Sequence, residues 1–138
     1  MKLKPKIKVS AIELIVSDLE KSLNWYREKL GAHVVAEYKE WKCVNFKIGK
    51  SEVVIDMGQP DPSWGKEEYK KAKERIGKST GIMFETDDIN ETYRVLKEKG
   101  VKFIQPPTKT NWGEVRAIFV DPDGNEFKIF ESSNKSLK

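Results

Sequence analysis

The sequence predicts a single α+β domain that is built from two copies of one βαβββ unit. Residues 11–34 and 81–103 follow the same order: short apolar strand, acidic helix start, amphipathic helix, glycine and second strand. Self-similarity of this kind indicates a duplicated structural unit. A chain of 138 residues is long enough for one hydrophobic core and too short for two independent cores. We therefore expect the two units to fold together.

The first unit opens with a strand and a helix. Residues 11–16 alternate between two sets of side chains, which is the period of a strand whose faces have different surroundings. Ser17 and Glu20 form the S-x-x-E pattern of a capping box, and Gly31 is suited to the left-handed end of the helix. Between them, apolar residues recur at helical spacing and are expected to pack in the core: Leu19, Leu23, Tyr26 and Leu30.

Each helix is followed by three predicted strands. In the first unit they are residues 33–40, 42–48 and 52–57, and in the second unit 101–104, 115–120 and 126–130. The second helix begins at Asp88 with Glu91 and ends at Gly100, and the run DPDGN at 121–125 predicts a tight turn. The chain 1–138 is thus divided into module one at about 8–58, a linker with one helix at 59–79, and module two at about 80–132.

Composition excludes several classes of function. The net charge of +4 is spread as mixed lysine and glutamate, and the basic runs at residues 1–8 and 135–138 lack the interleaved aromatics of nucleic-acid binding segments. No segment reaches the ~18 apolar residues of a membrane span, and the start of the chain has no signal-like apolar region. The lone Cys43 forms no internal disulfide and suits a reducing compartment. We expect a cytoplasmic protein that binds neither nucleic acid nor membranes.

Two motifs carry a resemblance to a known family. The run VSDLEKSLNWY at residues 16–26, closed by Gly31, resembles the first-helix signature of the vicinal oxygen chelate superfamily. The run FVDPDGN at 119–125, preceded by Trp112-Gly113, is similar to a second landmark of that superfamily. Its members include glyoxalase I, bleomycin-resistance proteins and extradiol dioxygenases. The resemblance implies eight strands that curl into an incomplete barrel, or cup, with the ligand on the concave face.

The resemblance also implies where a divalent metal would bind. Metal-binding relatives commonly place a histidine seven residues before the position of Asp18, and a second ligand lies at the matching position before Asp88. A glutamate usually stands three residues after the asparagine of the DPDGN turn. This sequence has Ala11, Gly81 and Lys128 at those three positions, and none of them suits a metal ion. We therefore expect no metal cofactor.

An unusual metal site stays open as an alternative. The fourth ligand of the family falls near Ile55 or Asp56, and the sole histidine, His33, follows the first helix and is expected at the surface. Glu13, Asp56 and Glu85 could in principle supply oxygen ligands to Mg²⁺ or Mn²⁺.

The concave face is expected to carry a mixed, ionisable lining. Strand parity and the W-G-x-x-R run predict that the following residues bind the ligand: Glu13, Met83, Glu85, Trp112, Arg116 and Lys128. Glu13 and Glu85 would hold a cationic or hydrogen-bonding group. Arg116 and Lys128 would hold an anionic end. The alternative, in which these charges pair with one another across a solvated sheet, stays open.

Three functional hypotheses follow from these observations. The first is a metal-free protein of the bleomycin-resistance type that binds a small molecule in its cup. The second is an enzyme of the lyase, isomerase or dioxygenase kind, such as a lactoylglutathione lyase-like member, with no metal or an unusual one; its catalytic residues are not identified by the sequence. The third is a dimer whose cup has lost its ligand. A homodimer is expected because a second copy could cover the uncovered sheet edges.

Overall fold

The computed structural model describes residues 4–132, so the basic run 135–138 and the first three residues of the run 1–8 lie outside the described part. Within residues 4–132 the α-helices and strands, in chain order, are β1 Ala11–Ile15, α1 Leu19–Leu30, β2 Ala32–Tyr38, β3 Cys43–Ile48, β4 Val54–Gly58, α2 Lys66–Arg75, β5 Ser79–Thr86, α3 Ile89–Glu98, β6 Lys102–Lys109, β7 Val115–Val120 and β8 Glu126–Glu131. None of these helices is long and apolar enough to cross a bilayer.

The strands form two four-stranded sheets with the same topology. Sheet one has the order β1-β4-β3-β2, and sheet two has the order β5-β8-β7-β6. In each sheet the first and last strands of the unit pair in parallel, and the other pairs are antiparallel. This arrangement confirms the α+β class and the duplicated βαβββ unit. The two sheets remain separate, as expected for a barrel that does not close.

The start of α1 differs from the predicted capping box. Asp18, and not Ser17, is the N-cap, because its extended backbone lets its carboxylate accept a hydrogen bond from the Lys21 amide at 3.1 Å. Ser17 instead turns towards module two, where its amide donates to the Asp123 carboxylate at 2.9 Å. The end of the helix is as predicted, with Gly31 in the left-handed region at φ 69°.

Strand boundaries also differ from the prediction, as at the ends of β2 and β6. Residues 39–41 form a 3₁₀ turn, Lys39–Trp41, and do not continue β2. Strand β6 runs to Lys109, well beyond the predicted end at 104, although it contains Pro106 and Pro107. Proline is tolerated there because β6 is the edge of sheet two and some of its amides need no partner in the sheet.

Helix α1 lies between the two sheets and joins them through one core. The Tyr26 side chain is fully buried, and its ring contacts Phe46 of β3 and Phe127 of β8 at centroid distances of 5.3 and 6.1 Å. The buried cluster includes residues from both modules. One face of each sheet is therefore directed at the shared core. We call the opposite face, which lies away from the core, the open face of that sheet.

A buried polar network joins module one, the linker and module two. We call Tyr26, Asp121 and Asn125 the module junction. The Tyr26 hydroxyl donates to Asp121 at 2.6 Å, and the Asn125 amide group donates to the Ile15 carbonyl at 3.0 Å while accepting from the Gly77 amide at 2.7 Å. The predicted DPDGN turn therefore also ties the modules together.

Candidate functional site

The open face of sheet two brings together five of the six predicted ligand-binding residues. Met83 of β5 is the register partner of Lys128 in β8. Glu85 of β5 and Arg116 of β7 are both register partners of Phe130, so they flank it on the same face. Trp112 belongs to the loop between β6 and β7. Their ligand-binding role stays a prediction.

The side chains of Trp112 and Arg116 contact each other on this face. The guanidinium carbon of Arg116 lies 5.2 Å from the centroid of the Trp112 ring, which is a cation–π distance. The Trp112 side chain is 66% exposed. An exposed indole that rests on a cation offers a flat apolar surface for a ligand.

Polar atoms without a partner lie on the open faces of both sheets. Arg116 Nε, Gln105 Oε1 and Asn45 Oδ1 are inaccessible to solvent and have no hydrogen-bond partner within residues 4–132. Gln105 pairs in register with Ile118, and Asn45 pairs with Asp56. Gln105 and Arg116 also line one cavity of about 200 Å³ together with Trp112 and residues 108–111.

Sequence reasoning missed Gln105 and Asn45. The register of β6 against β7 shifts between Phe103 and Gln105, and again between Gln105 and Thr108. Each shift changes which side chains share a face, so strand parity does not locate Gln105. A polar residue inside an apolar strand, such as Asn45 in CVNFKI, is the one signal that the sequence offered.

Glu13, the sixth predicted residue, lies on the open face of sheet one. There it is the register partner of Asp56 and forms an ion pair with Arg75 at the end of α2. Arg75 also donates to the Glu13 carbonyl at 3.2 Å. Among the described residues, Glu13 makes no hydrogen bond or ion pair with the five residues on sheet two.

The linker covers part of the open face of sheet one. Trp64 packs so tightly against Gly58 that an added Cβ would lie 2.8 Å from the indole ring. The indole N–H of Trp64 donates to the Trp41 carbonyl at 2.8 Å. These contacts explain Trp64 as a packing residue, whereas the Trp41 side chain is 51% exposed.

Burial shifts the titration of two groups on the open face of sheet one. It raises the pKa of Asp56, and the neighbouring Glu13 carboxylate adds to that rise. It also raises the pKa of the Cys43 thiol to about 11, with smaller contributions from Asp56 and Glu13. Cys43 is therefore a neutral thiol at neutral pH, which does not suit a nucleophile.

The residues present do not fit the metal site of the family. Ala11 and Gly81 offer no side-chain ligand, and Lys128 would bring a positive charge. Within residues 4–132, no group of three or more His, Cys, Asp or Glu side chains is placed to hold an ion. Glu13 and Asp56 are neighbours on sheet one, whereas Glu85 stands on sheet two. The absence of a metal from the working protein stays a prediction.

Comparisons with known proteins agree with this architecture. Residues 8–129 match the model of the Glyoxalase/Bleomycin resistance protein/Dioxygenase superfamily. The crystal structure of a member of that superfamily from Sphaerobacter thermophilus DSM 20745 is 33% identical, covers 91% of this chain and 98% of that one, and has a TM-score of 0.79. TnmS3, an antibiotic binding protein from Streptomyces sp. CB03234, is 23% identical over 94% of this chain and 100% of that one, with a TM-score of 0.74. The probable lactoylglutathione lyase of Vibrio parahaemolyticus is 28% identical, and the match covers 89% of each chain.

Proposed function

The chain belongs to the glyoxalase/bleomycin resistance protein/dioxygenase superfamily, and we propose that it binds a small organic molecule on the open face of sheet two without a metal ion. One observation carries the proposal: Arg116 Nε and Gln105 Oε1 are buried without a hydrogen-bond partner in the described chain, beside the exposed ring of Trp112. These groups line one cavity.

The energetics favour a ligand as their partner. A buried donor or acceptor that lacks a hydrogen bond costs about 1–3 kcal/mol, and most buried polar groups in proteins are therefore paired. A ligand that supplies the missing partners recovers that free energy on binding. The same fold in TnmS3, an antibiotic binding protein, is consistent with such a role.

We also propose that the binding protein is a cytoplasmic homodimer. The open faces of the two sheets lie on the sides away from one shared core, so Glu13 is expected to meet the residues of sheet two across two chains. Two apolar side chains of sheet two, Met83 and Ile104, are each 51% exposed in the single chain. Burying them against a second copy would be favourable. Light scattering after gel filtration should give twice the chain mass, and a monomer would contradict this part of the proposal.

A metal titration tests the central part of the proposal. Protein purified without a histidine tag and dialysed against EDTA should bind less than about a tenth of an equivalent of Ni²⁺, Zn²⁺, Mn²⁺ or Fe²⁺ at micromolar affinity in calorimetry. Small molecules that raise the melting temperature should do so equally with and without EDTA. Stoichiometric metal binding, or ligand binding that requires the metal, would contradict the proposal.

A second candidate function is a metal-free lyase or isomerase. The raised pKa of Asp56, caused by burial and then by Glu13, suits a general base that removes a proton next to a carbonyl. The similarity to a probable lactoylglutathione lyase also favours an enzymatic function. S-lactoylglutathione would be the first compound to assay. Turnover that Asp56→Asn abolishes would favour the enzyme, and no turnover with intact ligand binding would favour the binding protein.

A further inference from the structure

We propose that Gln105 and Arg116 select ligands that carry an N–H donor next to a carbonyl acceptor on a planar ring, as in a lactam or a ring carboxamide. The inference rests on the proposed function, because it names the class of ligand that the open face of sheet two accepts. We call Gln105 and Arg116 the polar pair.

The two unpartnered atoms of the polar pair have opposite hydrogen-bonding character. Arg116 Nε carries a hydrogen and can only donate, whereas Gln105 Oε1 can only accept. A ligand that satisfies both atoms must therefore present an acceptor and a donor together. A carboxylate has acceptors only and an ammonium group has donors only, so neither satisfies both atoms.

The placement of the pair requires the two ligand groups to be close together. Arg116 and Ile118 are two residues apart on β7 and share the open face, and Gln105 is the register partner of Ile118. Gln105 and Arg116 therefore lie on adjacent strands near the same point of the sheet, and they line the same cavity of about 200 Å³. Adjacent N–H and C=O groups of one amide unit have the polarity that matches these two atoms.

The ring of Trp112 adds the requirement for a planar ligand. It stands over the guanidinium group at 5.2 Å and its side chain is 66% exposed. Because both atoms of the polar pair are inaccessible to solvent, we expect the exposed Trp112 side chain to change rotamer when a ligand reaches them. Rotamer changes of this kind are common when a ligand binds. A flat conjugated ring can then stack on the indole while its amide edge meets the polar pair.

A matched pair of small probes tests the selection directly. 2-Quinolinone carries a lactam N–H beside its carbonyl, and coumarin has the same ring shape with an oxygen in place of the N–H. Wild-type protein should bind 2-quinolinone about tenfold more tightly than coumarin, because coumarin leaves the Gln105 acceptor unpaired. Affinities can be measured by chemical-shift titration on the EDTA-treated protein.

Variants of the polar pair separate the two hydrogen bonds. Gln105→Met removes the acceptor and should bring the two affinities to within about twofold of each other. Gln105→Glu keeps an acceptor and should retain the preference for the lactam, so it serves as the matched control. Arg116→Met should weaken both probes by a similar factor of about ten, since both carry the carbonyl. Circular dichroism of each variant checks that it is folded.

The outcomes distinguish this inference from the proposed function. Equal affinity of wild-type protein for the two probes, with both lost in Trp112→Ala, would overturn the selection by the polar pair and leave the binding function intact. Tighter binding of coumarin would also overturn it, because Gln105 would then be presenting its NH₂ group. If neither probe binds but other small molecules do, the lactam class is wrong; if no small molecule binds, the proposed function itself fails.

Discussion

The module junction and the polar pair both place polar groups away from water, but they differ in how those groups are satisfied. At the junction, Asp121 accepts hydrogen bonds from the Tyr26 hydroxyl and from the amide group of Asn125, and Asn125 bonds in turn to the linker and to β1. In the polar pair, Arg116 Nε and Gln105 Oε1 have no partner within the described chain.

This difference separates a structural role from a binding role. A network whose members are satisfied stabilises one arrangement of the two modules. A donor and an acceptor that are buried without hydrogen-bond partners lower the stability of the fold, and a ligand that supplies those partners restores the lost hydrogen bonds. Residue type alone does not distinguish the two regions, since both contain a charged side chain and a carboxamide side chain. Changes at the junction should therefore affect folding, and changes at the polar pair should affect binding.

The largest effect is expected at Asn125. Asn125→Ala removes the bonds to the Gly77 amide, the Ile15 carbonyl and Asp121. Ile15 and Asp121 are buried, so their polar groups lose a partner away from water. We expect the free energy of unfolding to fall by about 3 kcal/mol. Urea denaturation followed by tryptophan fluorescence measures it. The matched control is Asn24→Ala on the exposed side of α1, which should change stability by less than about 0.5 kcal/mol. Equal effects of the two substitutions would contradict the structural role of the junction.

A smaller loss is expected when the hydroxyl of Tyr26 is removed. Tyr26→Phe keeps the ring contacts with Phe46 and Phe127 and deletes the hydrogen bond of 2.6 Å to Asp121. The free energy of unfolding should fall by about 1–2 kcal/mol. Tyr69→Phe on the linker helix provides the comparison and should be close to neutral. A neutral Tyr26→Phe would show that the shared core alone holds the modules together.

The pH dependence of stability should distinguish Asp56 from an exposed carboxylate. Burial, and then Glu13, raise the folded-state pKa of Asp56 above its unfolded value near ~3.9. Its contribution is therefore fully present below about pH 4 and is lost as the pH rises through the folded-state pKa. Asp56→Asn should remove this loss and stabilise the protein at pH 7 relative to pH 4, by less than about 1 kcal/mol because the site is partly exposed.

Asp61 provides a control of opposite sign for that measurement. Its hydrogen bonds with Ser63, and then Lys42, lower its pKa. Its contribution is present above the unfolded pKa and is lost as the pH falls through the folded-state pKa. Asp61→Asn should therefore destabilise the protein at pH 7 relative to pH 4. If the two variants change the pH profile in the same direction, the burial of Asp56 is not the cause.

The smallest effect on stability is expected at the polar pair itself. Gln105→Leu and Arg116→Met replace unpartnered polar atoms with apolar ones, so the free energy of unfolding should stay within about 1 kcal/mol of wild type or rise slightly. The same variants should lose ligand affinity about tenfold. Thermal melts with and without ligand provide both values. A large loss of stability would show that the polar pair stabilises the fold, as the module junction does, and would contradict its binding role.

Local sequence rules located most of the fold and only part of the site. The end of α1 at Gly31, the DPDGN turn and the two-module order follow from backbone preference and apolar period, which are local properties. The partner of Ser17 lies 106 residues away in the chain, and no local pattern reveals it. Gln105 was missed because two register shifts in β6 break strand parity.

The sequence also did not predict that the site residues are divided between two sheets. Strand parity assigns a face to Glu13 and Arg116 but does not say whether the faces meet in one chain. That depends on how α1 packs, with Tyr26 between Phe46 and Phe127. The ion pair of Glu13 with Arg75 likewise depends on the path of the linker.

The most direct test of metal-free binding on sheet two is a chemical-shift map of the EDTA-treated protein titrated with a library of planar aromatic compounds. We expect a binding compound to shift the Arg116 Nε–H, the Gln105 side-chain amide and the Trp112 indole N–H, and added divalent metal to leave the affinity unchanged. Shifts confined to other surfaces, or shifts that occur only after metal is added, would contradict it.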